Sequence, residues 1–293
     1  MEPQLLILPF DHRSSFSKDL LGYEAKLNKK QHAEVVALKR IVFDAFVKVV
    51  MPEKNHGEFG ILLDEEYGAT MLREAKKLGV RTCLTTEQSG QQEYQFEYGD
   101  GFEQHLDKFA PTYAKALVRY NPANTTLNKR QLVRLKKLAD TCHAKGYQLL
   151  FELLVPPTEA DLEKVKSKER YDAKLRFELT VNAIQEIQEK VDVDIWKLEG
   201  FTKPQWGKIV KTVKPTSRVI VLGRGADRKQ VEQWLKDGAT YDHITGFAVG
   251  RTIFEQPLKD FIAKKKTREQ AVGAIAKNFK SFVTLWRKAK KAA

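Results

Sequence analysis

Eight short apolar segments, most of them separated by helical patterns, constrain the fold of this chain more than any other feature. Most are nearly continuous apolar runs, as is typical of strands covered by helices on both faces. Eight strand–helix units in 293 residues predict a closed parallel (β/α)8 TIM barrel. The structural alternative, a doubly wound open sheet, does not need eight repeats. The predicted strands are Leu5–Phe10, Phe59–Asp64, Val80–Thr86, Lys115–Tyr120, Tyr147–Leu153, Val193–Leu198, Arg218–Leu222 and Ile244–Val249.

Helical spacing of apolar residues predicts helices between these strands. The candidates are Gln31–Val50, Thr125–Lys145, Tyr171–Val191 and Asp227–Asp237. The longer connection 87–114 contains several aromatic residues and is expected to be an active-site loop with its own short helix. The charged stretch 158–170 is expected to be solvated. No internal repeat or linker is visible, so we expect a single domain over residues 1–293.

The net charge of +13 is concentrated at the end of the chain. Residues 261–293 contain ten Lys or Arg and one acid. Apolar residues at helical spacing in the same segment predict an amphipathic basic helix, at about 267–291, that packs on the body of the protein. A tail that binds nucleic acid is the alternative, and we favour a solvated basic face. The apolar positions are Val272, Ile275, Phe279, Phe282, Val283 and Trp286.

Several classes of protein are disfavoured by the composition. Two cysteines cannot form a disulfide framework, and no apolar run approaches the ~20 residues of a membrane span. The N-terminal segment does not resemble a signal peptide, so we expect a cytoplasmic protein. The six histidines are scattered, and no dinucleotide or Walker-type loop is present. We therefore expect no metal and no cofactor, and neither nucleic acid nor a membrane as a partner.

Lys197 is the most informative polar residue, because chemistry in such barrels occurs at the C-terminal ends of the strands. Side chains alternate along a strand, so Lys197 and Glu199 should point into the barrel while Trp196 and Leu198 face the helices. A buried lysine is either paired or has a depressed pKa, and an uncharged amine can form a Schiff base with a ketone. A structural ion pair of Lys197 with Glu199 or Glu152 is equally compatible with the spacing.

Two carboxylates accompany this lysine in the sequence. Glu152 lies within an apolar strand, where burial would raise its pKa and suit it to general acid–base catalysis. Pairing of Glu152 with a buried cation such as Lys197 is equally compatible with the residues alone. Asp11 follows the first strand and could move protons or hold the amine, although capping of the next loop is the simpler interpretation.

The last two strands end in glycine and arginine. Gly223, Arg224 and Gly225 follow the seventh strand, and Gly250 and Arg251 follow the eighth. Glycines allow backbone N–H groups to approach a phosphate, which barrels frequently bind after strands seven and eight. The two arginines supply charged donors suited to phosphate oxygens, although simple tight turns would also explain the pattern.

Seven motifs in order resemble a known family, from Leu6 to about Leu258. The motifs are FDHRSSF, GILLDEEYG, LVRYNP, FELLVPPT, DIWKLEG, VLGRGAD and GFAVGRTIF. They resemble the C-terminal domain that is fused to 5-dehydro-2-deoxygluconokinase in bacterial myo-inositol catabolism. That domain is related to class I aldolases of the tagatose-bisphosphate and sulfofructose-phosphate type. These 293 residues are expected to contain no kinase domain.

The resemblance implies a Schiff-base aldolase. Lys197 matches the Schiff-base lysine, and Glu152 and Asp11 match its carboxylates; the two Gly-Arg loops match the phosphate site. The implied substrate is 2-deoxy-5-keto-D-gluconate 6-phosphate. Asp11 and Glu199 are expected to tune Lys197 or to relay protons. Either Arg119 or Arg13 is expected, from charge and position, to hold a substrate carboxylate.

Two other functions stay open at this point. One is a related aldolase for tagatose 1,6-bisphosphate or a sulfosugar phosphate. The other is a non-catalytic barrel that binds a sugar phosphate. The partner in every case is a small sugar phosphate, and a homo-oligomer is possible.

Overall fold

The computed structural model describes residues 4–24 and 26–293. Its eight parallel strands close into a barrel in sequence order, with β1 paired to both β2 and β8. This architecture confirms the predicted (β/α)8 fold. The strands are β1 Leu5–Pro9, β2 Phe59–Leu63, β3 Arg81–Thr85, β4 Tyr113–Arg119, β5 Gln148–Leu154, β6 Ile195–Leu198, β7 Arg218–Leu222 and β8 Ile244–Ala248.

Twelve helices follow or separate these strands in the described residues. They are α1 Ser14–Leu21, α2 Lys29–Val50, α3 Glu65–Lys77, α4 Phe102–Phe109, α5 Thr125–Ala144, α6 Glu159–Val165, α7 Lys168–Lys174, α8 Arg176–Gln188, α9 Lys203–Thr212, α10 Arg228–Ala239, α11 Arg251–Ile262 and α12 Arg268–Lys291. None of them combines the length and hydropathy that a membrane crossing requires.

One predicted helix differs in detail from the structure, whereas the stretch expected to be solvated, 158–170, is mostly exposed. The helix predicted over 171–191 is divided, because α7 ends at Lys174 and α8 begins at Arg176. The charged stretch 158–170 is also partly helical. Its Thr158 forms a capping box with Asp161, and this satisfies backbone N–H groups at the start of α6.

The inward-facing side chains form an apolar layer across the lower part of the barrel. They are Leu5, Ile7, Leu62, Cys83, Tyr113, Leu150, Ile195, Ile220 and Ala248. Trp196 and Leu198 belong instead to the core between strands and helices. Because side chains alternate, the residue two positions after Ile195 also points inward, and this residue is Lys197. The alternation therefore places a lysine directly above the apolar layer.

The terminal helix α12 packs against α2, α10 and α11 on the outside of the barrel. Thr267 forms a capping box with Gln270 at its start. Its apolar stripe is buried, although Val272 is only partly covered. The fully buried part of the stripe consists of Ile275, Phe279, Phe282, Val283 and Trp286.

We expect Phe279→Ala to reduce the free energy of unfolding by about 3–5 kcal/mol, because the truncation leaves a cavity in the core. Phe279 is fully buried and contacts the rings of Phe46, Phe59 and Phe247. Denaturant unfolding measures the change. Lys280→Ala, at the adjacent exposed position, is the control and should change stability by less than about 0.5 kcal/mol. Equal effects of the two substitutions would contradict the packing role of α12.

Candidate active site

A cavity of about 370 Å³ opens where the C-terminal ends of the strands meet. Ten of the eleven residues predicted for the site line this cavity, and Glu199 is the exception. The ten are Asp11, Arg13, Arg119, Glu152, Lys197, Gly223, Arg224, Gly225, Gly250 and Arg251. Strands far apart in the sequence thus bring the predicted residues together at one end of the barrel.

Two lysines and three carboxylates form the floor of the cavity. The β5–β6 register sets Glu152 beside Lys197, and Lys197 Nζ lies 2.8 Å from Glu152 Oε1. Lys115 Nζ lies 3.0 Å from the other oxygen of Glu152, 2.9 Å from Asp11 Oδ2 and 2.7 Å from Glu87 Oε1. All five side chains are at least nine-tenths buried. Glu152 therefore bridges the two lysines.

The sequence analysis missed Lys115 and Glu87 as site residues. Lys115 carries the same signal as Lys197, a lysine among apolar residues at an inward position of a strand. The predicted fourth strand began at Lys115, where a lysine is unremarkable, whereas β4 begins at Tyr113 and encloses it. Glu87 follows β3 and has no apolar flank that would predict its burial.

Charge attraction sets the protonation of this cluster. Burial alone would raise the pKa of Asp11 and of Glu152, but attraction by Lys115 and Lys197 outweighs it and lowers both values. The net pKa of Glu152 is therefore lowered, whereas the sequence analysis expected burial to raise it. Burial opposes charge on Lys115, but Asp11, Glu152 and Glu87 together hold its pKa well above the ordinary value. Lys115 is thus a fixed ammonium group.

Glu199 lies just beyond β6 and contacts two arginines instead of Lys197. Its carboxylate oxygens lie 2.6 Å from Arg224 Nε and 3.3 Å from Arg176 Nη1. Arg224 also contacts Asp172 with two nitrogens, at 2.8 and 3.0 Å. Glu199 is thus paired with arginines, whereas the sequence analysis expected it to act on Lys197. The guanidinium of Arg224, expected to bind phosphate, is engaged by carboxylates.

The two Gly-Arg loops lie side by side at one edge of the cavity. Gly250 precedes α11, and a Cβ at Gly250 would lie 2.3 Å from the carbonyl oxygen of Pro9. Gly225 has a φ of +70°, and a Cβ there would lie 2.7 Å from Arg251 Nη2. Glycine is required at Gly250 because the Pro9 backbone lies so close, and it is favoured at Gly225 by the positive φ. The N-terminus of α11 and the Arg251 side chain make this edge electropositive.

Two further arginines and a histidine line the rest of the cavity. Arg119 donates to the Gln91 carbonyl oxygen at 2.8 Å, and Arg13 lies 3.0 Å from Glu97. Burial lowers the pKa of His12 to about 4, so this side chain is neutral at pH 7. Within the described part of the chain, no group of three His, Cys, Asp or Glu side chains is arranged to hold a metal ion.

Solved structures share this architecture at low sequence identity. A fructose-bisphosphate aldolase from Plasmodium falciparum has a TM-score of 0.65 and 14% identity, and the similarity covers 96% of this chain and 90% of that chain. A structural-genomics protein from Corynebacterium glutamicum has a TM-score of 0.60 and 13% identity, and the similarity covers 95% of this chain and 86% of that chain. A fructose-bisphosphate aldolase from Slackia heliotrinireducens has a TM-score of 0.59 and 10% identity, and the similarity covers 93% of this chain and 85% of that chain. These similarities establish the fold.

No curated protein sequence matches the chain. The family model described as an uncharacterized protein conserved in bacteria, DUF2090, matches residues 1–290. Because this match spans nearly all of the 293 residues, the chain belongs to the DUF2090 family.

Proposed function

We propose that this protein is a class I aldolase that forms a Schiff base on Lys197 and cleaves a phosphorylated keto-sugar acid. The observation that carries the proposal is the contact between Lys197 Nζ and Glu152 Oε1, at 2.8 Å, on the floor of a cavity that the Gly-Arg loops also line. An amine beside a proton acceptor is the minimum requirement for attack on a ketone. The fold similarity to two aldolases supports this proposal.

The contacts favour Lys197 over Lys115 as the nucleophile. Lys115 is surrounded by three carboxylates within 3.0 Å, which stabilise its ammonium form. Lys197 contacts one carboxylate, which can take its proton. The role of Lys115 is then to hold Asp11, Glu87 and Glu152 in place as a permanent positive charge.

The first half of the reaction forms an iminium ion. Glu152 accepts a proton from the Lys197 ammonium, and the free amine attacks the ketone carbon of the substrate. The resulting carbinolamine loses water when the protonated Glu152 gives its proton to the departing hydroxyl group. The iminium carbon then withdraws electrons from the bond that is to break.

The second half breaks the carbon–carbon bond. A carboxylate, Glu152 or Asp11, removes the proton of the hydroxyl group that is β to the iminium carbon. The bonding electrons move into an enamine, and an aldehyde leaves. Protonation of the enamine carbon and hydrolysis of the iminium release the ketone product and restore Lys197.

The arrangement of positive groups supports a substrate with an anion at each end. Arg251 follows β8 and Arg119 ends β4, and these strands lie opposite each other in an eight-stranded ring. The glycine loops and Arg251 would hold a phosphate, while Arg119 would hold a carboxylate. The substrate 2-deoxy-5-keto-D-gluconate 6-phosphate has both groups and would give dihydroxyacetone phosphate and malonate semialdehyde.

Borohydride reduction in the presence of dihydroxyacetone phosphate tests the Schiff base. We expect a stable adduct on the peptide that contains Lys197, because reduction converts the imine into a secondary amine. Peptide mass spectrometry locates the modified lysine. Binding of the ketone without an adduct would instead support a non-catalytic sugar-phosphate-binding protein, and would contradict the proposed chemistry.

Parallel assays identify the substrate class. We expect cleavage of the keto-sugar acid phosphate to exceed cleavage of tagatose 1,6-bisphosphate and of sulfofructose phosphate in kcat/KM. The measurement is release of dihydroxyacetone phosphate from equal concentrations of each substrate. Faster cleavage of either alternative would keep the aldolase reaction and contradict the assignment of its substrate.

A further inference from the structure

Four charged side chains form a cluster beside the cavity, which we call the turn clamp: Asp172, Arg176, Glu199 and Arg224. Arg224 contacts Asp172 at 2.8 and 3.0 Å and Glu199 at 2.6 Å. Arg176 contacts the same two carboxylates at 3.1 and 3.3 Å. The turn clamp joins α7 and α8 to the ends of β6 and β7. Its two cations balance its two anions.

The guanidinium of Arg224 is committed to this cluster. All three of its nitrogens contact carboxylate oxygens, two on Asp172 and one on Glu199. Glu199 is only 5% exposed, and loss of the Arg224 contact would leave this buried carboxylate with the longer 3.3 Å contact to Arg176. These contacts use three of the five N–H donors of Arg224, so a phosphate bound by this side chain would compete with both carboxylates.

The backbone at Arg224 adopts an unusual conformation. Ala226 N donates to Gly223 O at 2.9 Å, closing a four-residue turn. The two central residues have positive φ, +52° at Arg224 and +70° at Gly225, as in a type I′ turn. This conformation crowds the Cβ of a residue other than glycine. The turn clamp contacts compensate for this strain, because they attach the Arg224 side chain to buried partners.

The turn borders the cavity and contains unused backbone donors. Gly223, Arg224 and Gly225 all line the cavity. Among the described residues, the backbone N–H groups of Arg224 and Gly225 have no hydrogen-bond partner. On the other side of the turn, Thr252 Oγ1 donates to Ala226 O at 3.1 Å. The turn is thus attached on both sides, and two N–H groups remain for a ligand.

We propose that the turn clamp is a positioning device, which fixes the 223–226 turn so that its backbone N–H groups bind the phosphate of the substrate. The inference rests on the proposed function and refines its phosphate site. Arg224 and Glu199 act as positioning residues in this scheme. Successive N–H groups in such turns form a concave anion site. Arg251 supplies the side-chain charge at the same site.

The substitution Glu199→Gln separates this role from direct binding by Arg224, because the two predict opposite signs. If Arg224 bound phosphate with its side chain, the variant would release the guanidinium and remove a repelling charge, so phosphate would bind more tightly. If Glu199 positions the turn, phosphate will bind more weakly. We expect the affinity for phosphate to fall about tenfold for each backbone N–H bond to the phosphate that the displaced turn no longer makes.

Calorimetric titration with inorganic phosphate measures this change in the full chain. A second readout is the concentration dependence of borohydride trapping. The half-saturating concentration of dihydroxyacetone phosphate should rise in Glu199→Gln, while trapping of dihydroxyacetone, which has no phosphate, should be unchanged. The matched control is Glu232→Gln on α10, which removes a carboxylate that pairs with Arg228 at 2.6 Å but touches no part of the turn. Its phosphate affinity should equal that of the wild type.

If Glu199→Gln does not fold, Asp172→Asn provides the same test, because the Asp172 side chain is 28% exposed and the variant leaves Glu199 in place. Wild-type affinity or tighter binding of phosphate in the folded variants would overturn the inference. A wild-type protein that is trapped on Lys197 but does not bind phosphate would also overturn it. Phosphate binding without trapping would contradict the aldolase proposal alone.

Discussion

Replacement of Lys197 by methionine is expected to abolish borohydride trapping and to lower turnover by at least about a thousandfold, because no other side chain supplies the nucleophile. Methionine keeps an unbranched chain of similar length and removes only the amine. The fold should persist, since Glu152 keeps its 3.0 Å contact with Lys115 when Lys197 is lost. Trapping mass spectrometry, steady-state turnover and thermal unfolding measure the three effects.

The control for this prediction is Lys211→Met, at an exposed position of α9. It makes the same change in net charge outside the cavity and should retain both turnover and the adduct. Turnover that survives in Lys197→Met would make this lysine a structural member of the ion cluster. An adduct that moves to Lys115 would show that the ammonium inferred there can lose its proton.

The barrel could be predicted from the sequence because its determinants are local. Continuous apolar runs and helical spacing reveal the elements, and the alternation of side chains identifies Lys197 as inward-facing. The residues that pair with each buried charged side chain, in contrast, lie far from it in the sequence. Lys115 meets Asp11 across 104 residues of sequence, and no pattern near either residue indicates this contact.

The role of Arg224 shows the same limit. The Gly-Arg-Gly motif predicts a loop after the seventh strand, and its three residues line the cavity. The direction of the arginine side chain depends on Asp172 in α7 and on Glu199 after β6. A guanidinium suits a carboxylate as well as a phosphate, so residue type alone could not choose between them.

Lys115→Met is expected to lower both stability and activity, because three buried carboxylates lose their common cation. Removal of one partner of a buried ion pair lowers the free energy of unfolding by about 3–5 kcal/mol. Asp11 and Glu87 lose the ammonium that lies within 3.0 Å, while Glu152 keeps Lys197. Proton transfer should also slow, since the carboxylates are no longer held in place. Denaturant unfolding and turnover at pH 7 measure the two losses.

The stability loss should depend on pH in a defined direction. In the wild type, the lowered pKa values of Asp11 and Glu152 stabilise the fold above their ordinary values of 3.8 and 4.5, and this stabilisation disappears as the pH falls further. In Lys115→Met the unpaired carboxyls are neutralised by protonation at low pH. The difference in unfolding free energy between the two proteins should therefore be largest near pH 7 and shrink below about pH 4. Lys136→Met, which removes an exposed cation beside Asp140, should show almost no loss at either pH. A loss for Lys115→Met that is equal at pH 7 and at about pH 3 would mean that lost packing, and not the three carboxylates, is its cause.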